Sequence, residues 1–293
     1  MPYFKVGYEN SSKIRLYYED QGSGDPVVLI HGWPLSSRSW EKQTIALLNA
    51  GYRVISYDRR GFGDSDRPAT GYDYDTLASD LNALLDELEL DQVTLVGFSM
   101  GGGEVARYLG KYGQKRVKRA IFISAITPYL LKTSDNAEGV DQSVFTEIKQ
   151  GIEADRPAFL TKFLDNFYNR NELSGTRISE EMTRLSWNIA SGASPIGTLT
   201  CVDSWLTDFR KDLKNVTIPT LVVHGDSDRI VPLENSGKRM PELIKNAKLV
   251  VIPGGTHGLN WTHAELLNKE LLDFLSAEAR QPKQQPDQQR AAS

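Results

Sequence analysis

The sequence predicts an α/β fold: a mostly parallel sheet of about eight strands, with helices on both faces and a helical insertion in the second half. Three observations predict it. Short, largely apolar runs of strand length recur at residues 27–30, 53–57, 93–98, 120–123, 220–224 and 248–252, and strands of this kind are buried on both faces. Helical patterns lie between most of these runs, the alternation that a parallel sheet with crossover helices requires. From 127 to 213 that alternation stops and only helical patterns remain. The expected organisation is a core of residues 1–126 and 214–276, a helical lid of 127–213 and a polar tail of 277–293.

Each element has its own signal. Ile14, Leu16 and Tyr18 alternate with Lys13, Arg15, Tyr17 and Glu19, and a second run lies at 3–8, so the chain opens on an antiparallel pair. The turn Gly22-Ser23-Gly24-Asp25-Pro26 leads to the strand at 27–30, which ends in His31-Gly32-Trp33-Pro34. A helix is expected over 39–49, stopped by Gly51. Leu77, Leu81, Leu84, Leu85 and Leu88 recur at helical spacing behind Asp75, which reads as their N-cap. Within the insertion, helical patterns cover 145–152, 158–168, 179–189 and 198–213, and Phe159, Phe163 and Phe167 share a face that reads as lid core. A closing helix over 263–274 carries Leu266, Leu267, Leu271 and Phe274 on one side. The tail beyond it is too polar to bury and is expected to be disordered.

Composition narrows the function classes. A chain of 293 residues, 40% of them hydrophobic, can bury a sizeable core. Its net charge of -4 is mild. The one basic cluster, Lys115-Arg116-Val117-Lys118-Arg119, follows a helix, where cations complement the dipole, so no nucleic-acid face is expected. The N-terminus lacks a signal-peptide pattern, and no segment approaches the ~18 apolar residues of a membrane span, so the protein is expected to be cytoplasmic, with no membrane partner. Its single cysteine, Cys201, excludes an intrachain disulfide and cannot alone build a metal site.

The chemistry centres on Gly97-Phe98-Ser99-Met100-Gly101, between an apolar strand and a helix. A serine hydroxyl becomes a nucleophile when it is held exposed beside a base, and a strand-to-helix elbow holds it so, with small residues two positions to either side. The serine then needs a histidine to take its proton and a carboxylate to orient that histidine, in the chain order Ser, acid, His. Of the four histidines, His31 and His224 adjoin the wrong elements, and His263 falls inside the closing helix. His257, in the glycine-rich loop after the last strand, is the expected base. Asp226 and Asp228 both lie in the loop after the preceding strand, and spacing alone does not separate them. An oxyanion would be met by the backbone N–H groups of Met100, after the nucleophile, and Trp33, in the loop after the 27–30 strand.

Several motifs together resemble one family. His31-Gly32-Trp33-Pro34, Tyr57-Asp58-Arg59-Arg60-Gly61-Phe62-Gly63, Gly71-Tyr72-Asp73-Tyr74-Asp75-Thr76, Gly97-Phe98-Ser99-Met100-Gly101 with Gly103-Glu104-Val105-Ala106-Arg107-Tyr108, and His257-Gly258-Leu259 with Trp261-Thr262-His263-Ala264-Glu265 are similar to the cofactor-free (non-haem) haloperoxidases. These form a branch of the α/β-hydrolase fold that also holds aryl esterases, perhydrolases and a γ-lactamase. The resemblance spans residues 22–275; the polar tail and the extra glycine at Gly102 depart from it.

The resemblance implies a triad of Ser99, Asp228 and His257, which chooses between the two aspartates, and an oxyanion hole at Trp33 and Met100. It implies a serine esterase with perhydrolase activity, giving indirect bromo- or chloroperoxidase activity from an ester or carboxylate and hydrogen peroxide, without haem, metal or other cofactor. It also implies that Pro34, beside the oxyanion-hole tryptophan, favours perhydrolysis; the alternative is a proline that only rigidifies a turn. Relatives often self-associate, so a homo-oligomer is a further expectation. Alternatives on the same triad are γ-lactamase or hydroxynitrile-lyase activity, and a low-turnover ligand receptor on a hydrolase scaffold.

Overall fold

A computed structural model describes residues 2–277. The disordered tail expected over 277–293 lies, from 278 onward, outside the described residues. In chain order, β1 (Tyr3–Glu9), β2 (Ser12–Gln21) and β3 (Pro26–Ile30) lead through a 3-10 turn at Ser37–Trp40 to α1 (Glu41–Asn49) and β4 (Arg53–Tyr57). Next come α2 (Tyr74–Glu87), β5 (Val93–Phe98), α3 (Met100–Tyr112) and β6 (Val117–Ile123). The chain then leaves the sheet for α4 (Gln142–Phe167), α5 (Arg170–Leu173), α6 (Glu180–Ser191), α7 (Pro195–Ser204) and α8 (Arg210–Leu213). It returns with β7 (Thr220–Gly225), the short α9 (Met240–Leu243), β8 (Ala247–Ile252), α10 (Leu259–Thr262) and α11 (Ala264–Ser276).

Eight strands form one sheet in the order β1-β2-β4-β3-β5-β6-β7-β8. β1 pairs with β2, and β2 with β4, antiparallel; every other pair is parallel. Five of the six apolar runs are inner strands, and every residue of β5 and β7 is buried; the run at 248–252 is instead the edge strand β8, where only Ile252 is buried, because no further strand covers its outer side. Register then decides where the chemistry lies. Ile30 of β3 pairs with Gly97 of β5, Phe98 of β5 with Ile123 of β6, and Gly225 of β7 with Ile252 of β8. The loops after β3, β5, β7 and β8 therefore emerge together at the carboxyl edge, where parallel sheets bind ligands.

Helix α2 shows how the sheet is covered. Leu77, Leu81, Leu84 and Leu85 are fully buried, and burying a leucine of this kind contributes about 2 kcal/mol. Its N-cap is Asp73, not Asp75: the Asp73 carboxylate accepts from the Thr76 N–H at 2.9 Å, while Asp75 in the first turn pairs with Arg107 at 2.8 Å. Asp73 has the extended backbone a cap needs, and Asp75 is already helical.

Other boundaries differ too. Residues 37–40 are a 3-10 turn ahead of α1, so the expected helix over 39–49 begins later. The patterns at 145–152 and 158–168 belong to the single α4, bent where Asp155 has non-helical angles (φ -157°, ψ 87°) before Pro157; a proline ring disfavours helical geometry in the residues just ahead of it. The pattern over 198–213 is two helices, α7 and α8, separated at 205–209. His263 is the N-cap of α11, outside its helical turns. The basic cluster at 115–119 follows α3, which ends at Tyr112, and its last three residues already belong to β6.

Beneath the carboxyl edge lies a buried polar network. Glu104 on α3 is 0% exposed and accepts from Arg59 at 2.9 Å and from the Tyr57 hydroxyl. Arg59 also donates to the His31 carbonyl at 2.9 Å, tying α3 to the loops after β3 and β4. Removing one member of a buried ion pair leaves the other charge unmatched at a cost of about 3–5 kcal/mol. Glu104→Ala should therefore lower unfolding stability by about that amount, read from the midpoint shift in urea denaturation; a loss under about 1 kcal/mol would show that the pair adds little.

Candidate active site

Ser99 sits between β5 and α3 with φ 53° and ψ -119°. A non-glycine residue with positive φ is strained by about 1–3 kcal/mol and persists only where its surroundings hold it. Two glycines make the turn fit. A Cβ on Gly97 would lie 2.5 Å from the Gly101 carbonyl oxygen, and one on Gly101 would lie 2.4 Å from that of Ile30. The Ser99 N–H donates to the Ile123 carbonyl at 2.9 Å, pinning the turn to the neighbouring strand.

His257, in the loop after β8, stands between Ser99 and Asp228. Its Nδ1–H donates to Asp228 Oδ2 at 2.8 Å, and its Nε2 accepts from the Ser99 hydroxyl at 2.9 Å. The carboxylate can only accept, which sets this tautomer. Asp228 Oδ1 accepts from the N–H groups of Ile230 and Val231 at 2.9 and 2.8 Å. Burial alone would push the Asp228 carboxyl up, but His257 and His224 against it outweigh burial and hold it well below the usual carboxylate range. Asp226 has different work: its carboxylate accepts from the Gly254 N–H at 2.8 Å and the Ser227 hydroxyl at 3.1 Å, joining the loops after β7 and β8.

The other named residues also have definite places. Among the described residues, neither the Trp33 nor the Met100 backbone N–H has a partner. Gly32 brings the Trp33 loop against Ser99, since a Cβ there would approach the Ser99 Cβ to 3.0 Å. The Trp33 ring packs edge-on at 4.9 Å against both Phe163 and Trp205, and the peptide from Trp33 to Pro34 is cis. His31 is fully buried behind this loop. Its Nδ1–H donates to the Gly32 carbonyl at 2.9 Å, its Nε2 accepts from the Arg59 N–H at 3.0 Å, and burial holds it well below the ordinary histidine range. His263 bonds the Thr262 hydroxyl at 2.9 Å.

Sequence reasoning missed two groups. His224 was set aside, yet its Nε2 lies 2.8 Å from the Val231 carbonyl and 3.3 Å from Asp228 Oδ2; the available signal was its place at the end of β7, four residues before that aspartate. The second group is the end of α4. The Phe167 ring packs against His257 at 4.9 Å and its carbonyl accepts from the Gly258 N–H at 3.0 Å, while Asn169, buried with φ 48° and ψ 48°, donates to the Ser227 carbonyl at 2.9 Å. One segment thus holds both the His257 loop and the Asp228 loop.

Ser99 faces a cavity of about 460 Å³ walled by Trp33, Phe145, Phe159, Phe163 and Trp205, with Glu147, Lys162, Asn166 and Arg229 adding polar groups. Phe159 and Phe163, expected to be lid core, line this cavity; only Phe167 turns inward against the base. Among the described residues, no group of three or more His, Cys, Asp or Glu side chains is placed to hold a metal ion, and no helix is long and apolar enough to cross a membrane.

The family model described as alpha/beta hydrolase fold matches residues 25–264. The chain belongs to this family, in its non-haem haloperoxidase and esterase branch. It is 59% identical over 275 residues to a Synechocystis protein assigned provisionally to the non-heme chloroperoxidases, covering 94% of this chain and 100% of that one. A bifunctional esterase/perhydrolase of Acinetobacter calcoaceticus is 38% identical over 92% of this chain and 99% of its own. The crystal structure of a bromoperoxidase from Bacillus anthracis superposes with a TM-score of 0.90 at 53% identity, covering 94% of this chain and 99% of that one. The chain is thus an α/β-hydrolase enzyme.

The depressed Asp228 fixes the sign of a pH effect. A carboxyl whose folded pKa lies below its unfolded value near about 3.9 contributes stability that is complete above about pH 5 and lost as pH falls. Asp228→Asn should therefore cost stability at pH 7 and progressively less below about pH 5, read by urea denaturation across that range. A penalty that stays constant with pH would mean that Asp228 carries no such linkage.

Proposed function

We propose that this enzyme cleaves small carboxylic esters through an acyl-enzyme on Ser99, and that hydrogen peroxide replaces water in the second half-reaction to give peracids. The observation that carries the reading is the continuous chain Asp228–His257–Ser99, with links of 2.8 and 2.9 Å, opening on an apolar cavity.

Ser99 Oγ attacks the ester carbonyl as its proton passes to His257 Nε2, and Asp228 stabilises the imidazolium. The oxyanion accepts from the Trp33 and Met100 N–H groups, whose lack of other partners supports this role. Collapse breaks the ester C–O bond, and the leaving alkoxide takes the proton from His257. Water or hydrogen peroxide then attacks the acyl carbonyl, gives its proton to His257, and Ser99 leaves with that proton. Water yields the carboxylic acid; peroxide yields the peracid, which leaves the site and oxidises bromide or chloride to hypohalous acid as it becomes carboxylate. No step calls for a cofactor or metal. The esterase/perhydrolase and haloperoxidase names of the relatives support both branches.

The aromatic walls favour an apolar acyl or aryl group, and residues 127–213, which supply most of them, act as a lid over the carboxyl edge. Wild type and Ser99→Ala assayed for p-nitrophenol release from p-nitrophenyl acetate, with peracid measured when peroxide is added, test the reading. The variant should lose about 10⁴-fold or more of kcat while remaining folded. Equal and negligible turnover by both proteins would instead point to a ligand-binding role. Pro34→Leu should lower the ratio of perhydrolysis to hydrolysis, and an unchanged ratio would remove Pro34 from that step.

A further inference from the structure

The acid of the triad is touched by two histidines. His257 reaches Asp228 Oδ2 from the loop after β8 at 2.8 Å. His224, the penultimate residue of β7, approaches the same oxygen from the opposite side of the sequence at 3.3 Å. The His224 side chain is 0% exposed. Its Nε2 is also 2.8 Å from the Val231 carbonyl, an atom that can only accept. The proton on the ring is thereby assigned to Nε2, and one N–H is shared between the Val231 carbonyl and the Asp228 carboxylate. Nδ1 is buried against Gly237 without a partner among the described residues. All polar anchoring of this ring therefore runs through Nε2, on the side of the acid.

These contacts close a small circuit. Val231 donates its N–H to Asp228 Oδ1 and accepts from His224 through its carbonyl. Asp228 consequently receives donors from Ile230, Val231, His224 and His257, so the carboxylate is held as an anion on every side. We propose that His224 is a positioning residue that fixes Asp228 as an anion and limits how strongly Asp228 favours the protonated form of His257. Every donor shared with the carboxylate spreads its charge, and a carboxylate with one donor fewer attracts the imidazolium more strongly. The proposal rests on the serine-hydrolase reading above and goes beyond it by assigning work to a residue outside the triad.

Among the described residues, no other charged side chain is placed against this carboxylate. Arg229, next in sequence, turns away to Asn171 at 2.6 Å and to Glu172. Asp226 is engaged by the Gly254 N–H and the Ser227 hydroxyl. From α4, Phe167 packs on His257, and the neutral Asn169 meets the Ser227 carbonyl. Phe98 covers the other side of the base, its ring 5.2 Å from the imidazole. Among the described residues, the ionisable side chains placed against this acid are thus those of His257 and His224.

The test is the pH profile of kcat/KM for p-nitrophenyl acetate with the intact enzyme and three variants at position 224. His224→Leu removes the donor. His224→Gln returns an amide N–H at nearly the reach of Nε2, and His224→Asn is polar but one methylene short. In His224→Leu and His224→Asn the acidic limb should move up by about one pH unit, with kcat reduced about tenfold at pH 6 and KM within about twofold. His224→Gln should return the limb to the wild-type position. Should His224→Leu not fold, the Asn and Gln pair gives the same comparison between variants of similar polarity. An acidic limb that stays in place in a folded Leu or Asn variant overturns the proposal, and so does a limb displaced equally by Gln and Asn. Ser99→Ala run alongside separates the two readings: if it retains wild-type activity the serine mechanism fails, whereas an inactive Ser99→Ala with unmoved His224 variants defeats only the role of His224.

Discussion

The backbone turn at Ser99 is the constraint on which the rest of the site depends. A serine with φ 53° is held only because β5 lies between β3 and β6 and α3 packs down at once behind it. The contacts that permit this are backbone to backbone: Gly97 faces the Gly101 carbonyl, and Gly101 faces that of Ile30. The turn aims the hydroxyl at the carboxyl edge, where the register of β7 and β8 delivers Asp228 and His257. Strain stored locally is thus balanced by the whole sheet.

Polar groups beneath that edge serve the same geometry. His31 is kept neutral by burial, with its two nitrogens spoken for by Gly32 and Arg59, so it steadies the loop that carries Trp33. Arg59 and Glu104 then connect this loop to α3, the helix behind Ser99. Asp228 illustrates the electrostatic side: burial works against its charge, and the two histidines against it, His257 and His224, more than offset that.

The helices between β6 and β7 do more than wall the cavity. The segment at and just after the end of α4 reaches the His257 loop through Phe167 and the Asp228 loop through Asn169, so the stretch that walls the cavity also holds two of the loops that meet Ser99. A shift of α4 would be felt at His257 directly. Both sides of the bend at Asp155 and Pro157 line the cavity, the first half of α4 with Phe145 and the second with Phe159 and Phe163, and the end of the second half also grips the loops.

Much of this was legible in the sequence, for identifiable reasons. Buried strands announce themselves as apolar runs, and the elbow at Gly97–Gly101 needs small residues at fixed offsets, so the sheet, its helices and Ser99 followed from local pattern. His257 followed from chain order and its glycine-rich loop. Local pattern could not separate Asp226 from Asp228, because both sit in one turn and only the approach of the loop after β8 distinguishes them; family likeness supplied the choice. Local pattern also points to Asp75 rather than Asp73 as the cap of α2, divides α4 in two, and gives no role to His224. Residue types and periodicity are properties of neighbours along the chain, and they determined the elements. Which side chains share an oxygen, as His224 and His257 share Asp228 Oδ2, depends on the register of β7 against β8 and on the packing of α4, and those long-range contacts exist only once the chain has folded.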